Sequence, residues 1–164
     1  MEEKILEISE GQLKAFDMSS FYSIIPLNDP EFYEKAGDQH YRLLAYFSTL
    51  FNHTNIIDLG THRGCSALAL SYNLTNTIHS FDLSDQILNR AIRERENIRF
   101  HRGINLFDPI FLNDPDHPNN QTWNNLIKGS SMIFLDVDPH NGQMEWSFYQ
   151  YLLRIKYTGY LLAD

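Results

Sequence analysis

The stretch from Asn55 to Asn73, NIIDLGTHRGCSALALSYN, decides the fold of this chain. It begins with a short apolar run that contains Asp58 and continues through a turn bounded by Gly60 and Gly64. Small and apolar residues at helical spacing follow. The pattern predicts a buried strand, a glycine-hinged turn and a helix. In sheets built from such units, a nucleotide-like ligand usually binds on the turn.

Strand and helix patterns then alternate along the rest of the chain. Because strands separated by helices pair in parallel through right-handed crossovers, we predict a parallel α/β sheet with helices on both faces. Helices are also predicted over residues 2–18 and 30–51. The strands are predicted over residues 56–59, 77–83, 97–102, 131–138 and 159–164, and the later helices over residues 64–72, 84–96, 123–127 and 142–156, with a loop over 104–120.

Bulk composition excludes several classes of protein. The 164 residues carry a net charge of −8 and no block of Lys or Arg, which disfavours binding to a nucleic-acid backbone. One cysteine, Cys65, excludes an internal disulfide framework and a metal site built from several cysteines. The N-terminus lacks the apolar core of a signal peptide, and no apolar run is long enough to span a bilayer. We therefore expect a cytoplasmic protein with no nucleic-acid or membrane partner.

Four of the five predicted strands end on or beside an aspartate, and ligands of open parallel sheets bind at these strand ends. Asp82 follows Asp58 by 24 residues, close to the spacing at which an acid binds ribose hydroxyls in nucleotide-binding units. An NAD site would share that acid. However, the turn lacks the middle glycine of the dinucleotide fingerprint, and Asp58 would repel a pyrophosphate. A cationic ligand that carries an amino acid suits this turn better.

Four segments together resemble the class I S-adenosylmethionine-dependent methyltransferases: IIDLGTHRGCSALALSYN, IHSFDLSD, IFLDVDPHNGQMEWSFYQYLL and YTGYLLAD. The nearest group is that of small O-methyltransferases whose fourth strand ends in Asp-x-Asp-x-His, and QHYRLLAYFSTLF is similar to the helix before their first motif. The resemblance runs from about Asp38 to Asp164. It implies a Rossmann-like open parallel sheet of at least five strands in the order 3-2-1-4-5. One domain, 1–164, would comprise an N-terminal helical extension, 1–53, and a cofactor-binding core, 54–164, that is truncated at its C-terminus.

The same resemblance implies which residues bind S-adenosyl-L-methionine. Five residues of the first motif would line or adjoin its methionine end, an acid after the second strand would hold the ribose, and three further residues would contact the adenine. Many relatives have an acid after the third strand, where this chain has Ile104 and Asn105. In chain order, the nine residues are Asp58, Gly60, Thr61, Gly64, Ser66, Asp82, Leu83, Ile104 and Asn105.

The methyl group of a sulfonium is already activated, so a methyltransferase mainly aligns the acceptor and helps to remove its proton. Asp136, Asp138 and His140 stand together after the fourth predicted strand and are the catalytic candidates. In the metal-dependent branch of the family, acids at the positions of Asp136 and Asp164 bind a divalent cation, and oxygen ligands suit Mg²⁺. A metal site and a metal-free site with Asp138 or His140 as base remain equally open.

The resemblance implies methyl transfer to a hydroxyl of a small molecule or glycan. Because relatives continue beyond the segment that ends at Asp164, the alternative is a truncated domain that binds the cofactor or assembles, as a homodimer for example, without catalysis. An NAD-dependent oxidoreductase is a third and weaker hypothesis.

Overall fold

A five-stranded parallel sheet organises the computed structural model, which describes residues 7–26, 29–33, 36–139 and 142–163. The strand order is 3-2-1-4-5, and every neighbouring pair in it is parallel. The predicted Rossmann-like α/β fold is therefore confirmed. The strands are β1 Asn55–Leu59, β2 Thr77–Asp82, β3 Ile98–Arg102, β4 Ser130–Leu135 and β5 Tyr160–Ala163.

Eight α-helices lie within the described ranges, and most of them connect consecutive strands. None of these helices combines the length and apolarity needed to cross a bilayer. Short 3₁₀ turns at Ser19–Phe21 and Pro118–Asn120 complete the elements. The helices are α1 Glu10–Ala15, α2 Pro30–Tyr33, α3 Ala36–Ser48, α4 Cys65–Leu70, α5 Arg90–Arg93, α6 Pro109–Asn113, α7 Gln121–Lys128 and α8 Gln143–Arg154.

The two faces of the sheet bury alternate residues of each strand. Ile56 of β1 and Phe134 of β4 pack under α3 and α4, whereas Ile57 and Leu135 pack under α6, α7 and α8. All four side chains are fully or almost fully buried. Because successive side chains of a strand point to opposite faces, Asp58 belongs to the α3/α4 face at the end of β1.

The segment before α3 packs onto the same side of the molecule. Phe21 and Phe32 are completely or almost completely buried, and they join a cluster with Leu68 of α4 and Ile92 of α5. The side-chain amide of Asn89 also donates a hydrogen bond to a backbone carbonyl of this segment, at 2.8 Å. The N-terminal segment therefore covers α4 and α5 and shares their hydrophobic core.

The helix predicted over residues 84–96 is much shorter in the structure, where α5 begins only at Arg90. The carboxylate of Asp82 accepts a hydrogen bond from the backbone N–H of Ser84 at 2.9 Å, and residues 84–89 form a loop. Asn89 then caps the helix through its side chain. The pattern was correct about a helix but wrong about its start, because Asp82 holds Ser84 in a local turn before the helix begins.

Other boundaries also differ from the prediction. Helix α1 covers only part of the segment 2–18, of which residues 2–6 lie outside the described ranges. In the segment 30–51 the structure describes α2 and α3, and the second of these helices ends at Ser48 rather than at residue 51. The predicted loop 104–120 contains α6, because Asp108 provides an N-cap and Pro109 occupies the first turn.

Two histidines form a hydrogen-bonded pair on the α7 face of the sheet. The Nδ1 atom of His79 lies 3.0 Å from Nε2 of His101, and Nε2 of His79 lies 3.2 Å from the side-chain oxygen of Asn55. The ring of His101 stacks on Phe81. Burial, together with the nearby charges of His101 and Arg99, lowers the pKa of His79 to about 4.

We predict that His79 makes the fold less stable in mild acid. A histidine whose pKa is lower in the folded chain than its model value of 6.5 binds fewer protons when folded. Stability therefore rises with pH across the window from about 4 to about 6.5 and is lost as pH falls through it. His79→Gln should remove this contribution, as measured by urea unfolding of both proteins between pH 4 and pH 7. A constant stability difference across that range would contradict the prediction.

Candidate functional site

A cavity of about 450 Å³ opens at the carboxyl ends of the strands. It lies beside the point where the strand order reverses, between β1 and β4, which is where ligands of open parallel sheets bind. The cavity is lined by Leu59, Gly60, His62, Phe81, Asp82, Leu83, Gln86, Ile104, Asn105, Leu106, Phe107, Asp136, Val137, Asp138 and Met144.

Asp82 is held in place on the cavity wall by two loops. One carboxylate oxygen accepts the backbone N–H of His62 at 2.8 Å, and the other accepts that of Ser84 at 2.9 Å. Each carboxylate oxygen can accept two hydrogen bonds. The Ser84 hydroxyl also donates, at 3.2 Å, to the oxygen that accepts the Ser84 N–H. Asp82 therefore fixes the β1–α4 and β2–α5 loops, and the oxygen bound to His62 keeps the capacity to accept a hydrogen bond from a ligand hydroxyl.

One side of the cavity is apolar. Leu83, Ile104, Phe107 and Met144 contribute to it, and Leu83 is 65% exposed although it is a large hydrophobic residue. Such a wall next to a fixed carboxylate suits a flat base joined to a ribose. The sequence-predicted residues Leu83, Ile104 and Asn105 all line the cavity, as Asp82 does.

The backbone N–H groups of the turn between β1 and α4 donate their hydrogen bonds to acceptors within the protein. The N–H groups of Gly60 and Thr61 donate to the carbonyl of Phe81 at 3.0 and 3.2 Å, and that of Gly64 donates to Thr61 at 2.7 Å. The N–H of His62 is bound to the β2 carboxylate, as described above. These four amides are therefore engaged within the protein, unlike the free amides with which a dinucleotide turn binds a pyrophosphate.

Gly60 permits the closest backbone approach at the site. Its φ is +101°, and a Cβ atom placed there would lie 1.7 Å from the carbonyl oxygen of Asp136. The N–H of Asp136 in turn donates to the carbonyl of Leu59 at 2.9 Å. β1 and β4 can therefore remain paired to their ends only because residue 60 has no side chain.

A buried polar layer lies beneath the cavity wall, on the α3/α4 face. Asp58 is completely buried, and one of its oxygens accepts a 2.5 Å hydrogen bond from Ser80, which also bonds to Thr61 at 2.6 Å. The other oxygen, Oδ1, has no hydrogen-bond partner among the described residues. Of the predicted cofactor residues, Asp58, Thr61, Gly64 and Ser66 lie in or beside this layer and not on the cavity wall.

Burial raises the pKa of Asp58 to about 6, against the opposing effect of hydrogen bonds from Ser80 and Ser66. The charges of Asp136 and Asp82 raise it further. Ionising this carboxyl therefore costs free energy in the folded protein, and a nearby cation would reduce that cost.

The catalytic candidates are only partly placed by the structure. Asp136 and Asp138 both line the cavity, whereas His140 lies outside the described residues. Asp164, the second predicted metal ligand, also lies outside them. Within the described ranges, no group of three or more His, Cys, Asp or Glu side chains could hold a metal ion. The metal site therefore stays a prediction.

Two residues near the site were not recognised from the sequence. His62 lines the cavity and has a left-handed backbone, with φ +43°, which a single sequence does not reveal. Tyr41 of α3 lies behind the site, where burial raises its pKa, with smaller contributions from Cys65, Asp136 and Asp58. The sequence signal for Tyr41 was only its position in a helix preceding the first motif.

We predict that Gly60→Ala strongly destabilises the protein. The alanine would have an unfavourable backbone conformation, which costs roughly 1–3 kcal/mol, and its Cβ would force β1 away from Asp136. Gly103→Ala is the matched control, because Gly103 has φ +70° but open space around its missing Cβ. Thermal unfolding followed by circular dichroism should give a much lower midpoint for Gly60→Ala. Equal midpoints would show that the close approach is unimportant.

We also predict that Asp58→Asn stabilises the protein increasingly as pH rises. The folded pKa of about 6 lies above the model value of 3.8, so ionisation of Asp58 reduces stability as pH rises through that window. The asparagine stays neutral. Its advantage should grow by on the order of 2–3 kcal/mol between pH 4 and pH 7.

His79 changes stability in the opposite direction over an overlapping pH window. The test of Asp58 is therefore the difference in the free energy of unfolding between Asp58→Asn and the unaltered protein, measured by urea unfolding at each pH. A difference that does not change with pH would contradict the raised pKa of Asp58.

Comparisons with known proteins do not assign this chain to a family. The sequence matches no protein-family model and no curated protein. One similar solved structure is a cyclopropane-fatty-acyl-phospholipid synthase-like protein from Lactobacillus casei, with 10% identity and a TM-score of 0.45 over 74% of this chain and 49% of that chain. Another, described as a proposed hemolysin from Lactococcus lactis, has 18% identity and a TM-score of 0.39 over 58% and 43%. This chain spans less than half the length of either protein.

Proposed function

We propose that this protein binds S-adenosylmethionine and transfers its methyl group to a hydroxyl of a small molecule or sugar. The observation that carries the proposal is the placement of Asp82, which is fixed by two backbone N–H groups on the wall of a cavity whose other side is apolar. A ribose bound to Asp82 would place its base against Leu83 and Ile104. The remainder of the ligand would extend toward Gly60 and Asp136 at the ends of β1 and β4.

The charges around the cavity favour a cationic ligand. Asp82, Asp136 and Asp138 line it, and the completely buried Asp58 lies behind it with a raised pKa. S-adenosylmethionine has a sulfonium and an ammonium group, both positive, which would offset the cost of these carboxylates. A pyrophosphate would add two negative charges beside them, so the same residues oppose NAD.

The hydrogen bonds of the turn argue in the same direction. A dinucleotide turn binds phosphate through free backbone N–H groups at the start of a helix. Here the N–H groups of Gly60, Thr61, His62 and Gly64 are engaged within the protein. This turn therefore suits a ligand without a phosphate.

The residues at the end of β4 supply the groups that methyl transfer requires. A bound sulfonium provides an activated methyl group, and the protein has to align the acceptor and accept its proton. Asp136 and Asp138 line the cavity and could accept that proton from an acceptor hydroxyl. We propose Asp138 as the base, because Asp136 is close enough to Asp58 to raise its pKa and therefore shares the buried charge cluster.

The test is isothermal titration of the protein with S-adenosylmethionine, S-adenosylhomocysteine and NAD. We expect binding of the two sulfur nucleotides and none of NAD. Asp82→Asn should weaken binding by about tenfold or more, because it removes a charged acceptor of the ribose hydroxyls. Asp108→Asn is the matched control, because Asp108 caps α6 and does not line the cavity.

Asp82 also fixes two loops, so a second variant separates binding from loop structure. Leu83→Ala shortens an exposed side chain that has no part in those hydrogen bonds, and it should weaken binding by removing apolar contact with the base. Binding of NAD alone would contradict the proposal. Cofactor binding without formation of S-adenosylhomocysteine from any hydroxylated acceptor would favour a non-catalytic domain.

A further inference from the structure

His62 combines a strained backbone with a place on the cavity wall. Its φ of +43° is left-handed, a conformation that glycine adopts freely and other residues adopt at a cost. It stands midway between Gly60 and Gly64, both of which also have positive φ values. The turn therefore keeps a glycine-like backbone while it presents a histidine at the cavity. Strain of this kind persists at sites where the side chain has a function.

The charges of the wall suggest what that function is. Among the cavity-lining residues in the described part of the chain, only His62 has a side chain that can become positively charged, whereas Asp82, Asp136 and Asp138 are acids. The amino-acid part of S-adenosylmethionine contains a carboxylate. In such a cavity, that carboxylate requires a donor that also offsets the surrounding negative charge.

Other donors at the wall are less suited to this task. Four amides of the turn are already engaged within the protein. The side-chain amide of Gln86 donates to Ser84 at 3.0 Å, and the side-chain oxygen of Asn105 accepts the N–H of Phe107 at 3.0 Å. Both amides are neutral, and a neutral donor binds a carboxylate less strongly than a charged one.

We propose that His62 binds the carboxylate of the amino-acid part of the cofactor. Through this contact the site would distinguish S-adenosylmethionine and S-adenosylhomocysteine from nucleosides that lack the carboxylate. The inference rests on the proposed function, because it presupposes that the cavity binds these ligands. It assigns a specificity-determining role to a residue that occupies the place of the middle glycine in dinucleotide turns.

The test uses His62→Gly, which removes the imidazole but keeps the N–H that binds Asp82. Because glycine adopts the left-handed backbone without strain, the variant should fold at least as stably as the unaltered protein, as checked by thermal unfolding. Isothermal titration would compare S-adenosylhomocysteine with 5′-methylthioadenosine, which lacks the amino-acid part. We expect a loss of roughly tenfold to a hundredfold for the first ligand. Affinity for the second should change by less than about twofold.

Two further variants sharpen the result. Arg63→Gln changes the neighbouring exposed residue, which does not line the cavity, and should leave affinity for S-adenosylhomocysteine unchanged. His62→Asn tolerates the left-handed backbone and offers a neutral donor, so its affinity should be intermediate. If Arg63→Gln reproduced the loss and His62→Gly did not, the assignment to His62 would be overturned.

The outcomes for the two ligands separate this inference from the proposed function. Unchanged binding of S-adenosylhomocysteine by His62→Gly, or equal losses for both ligands, overturns the role of His62 alone. Failure of the unaltered protein to bind either ligand overturns the proposed function and this inference with it.

Discussion

The contact between Gly60 and the backbone of Asp136 is the constraint on which the site depends. At this point β1 and β4 run to their ends side by side, and a side chain at residue 60 would occupy the position of the Asp136 carbonyl. The reversal of strand order between these strands creates the crevice. Because Gly60 has no side chain, the two strands stay in contact at the base of that crevice. Asp136 reaches the cavity at that junction, and Asp82 and His62, which are joined by a hydrogen bond, line the cavity beside it.

The site concentrates negative charge at a cost to stability. Asp58 is completely buried, one of its oxygens has no hydrogen-bond partner in the described part of the chain, and its raised pKa reflects burial and the charges of Asp136 and Asp82. Hydrogen bonds from Ser80 and Ser66 recover part of that cost. A fold selected for stability alone would have placed a neutral residue there. A bound cationic ligand would offset the negative charge of these carboxylates. This is the reason for linking the acids of the site with the proposed cofactor.

Much of this architecture could be predicted because it rests on local patterns. Apolar runs separated by helical patterns predicted all five strands and their parallel arrangement, and the spacing from Asp58 to Asp82 singled out an acid that the structure places on the cavity wall. The buried face of helix α8 could not be predicted in the same way. Trp146, Tyr149 and Leu153 are exposed by 62%, 40% and 41%, whereas Phe148 and Leu152 are buried. Aromatic content alone does not reveal which stripe of a helix meets the sheet.

The sequence by itself determined the elements, their order, and the acids and glycines at the strand ends, because these depend on residue type and spacing along the chain. Tertiary structure alone decided which of these residues line the cavity. Asp58, Thr61 and Ser66 turned out to lie beneath it, because strand alternation directs Asp58 to the α3/α4 face. It also decided that His62, whose N–H donates to Asp82 20 residues later in the chain, adopts a left-handed backbone at the wall. No local pattern encodes that hydrogen bond, because its two partners lie in different loops that are distant in sequence.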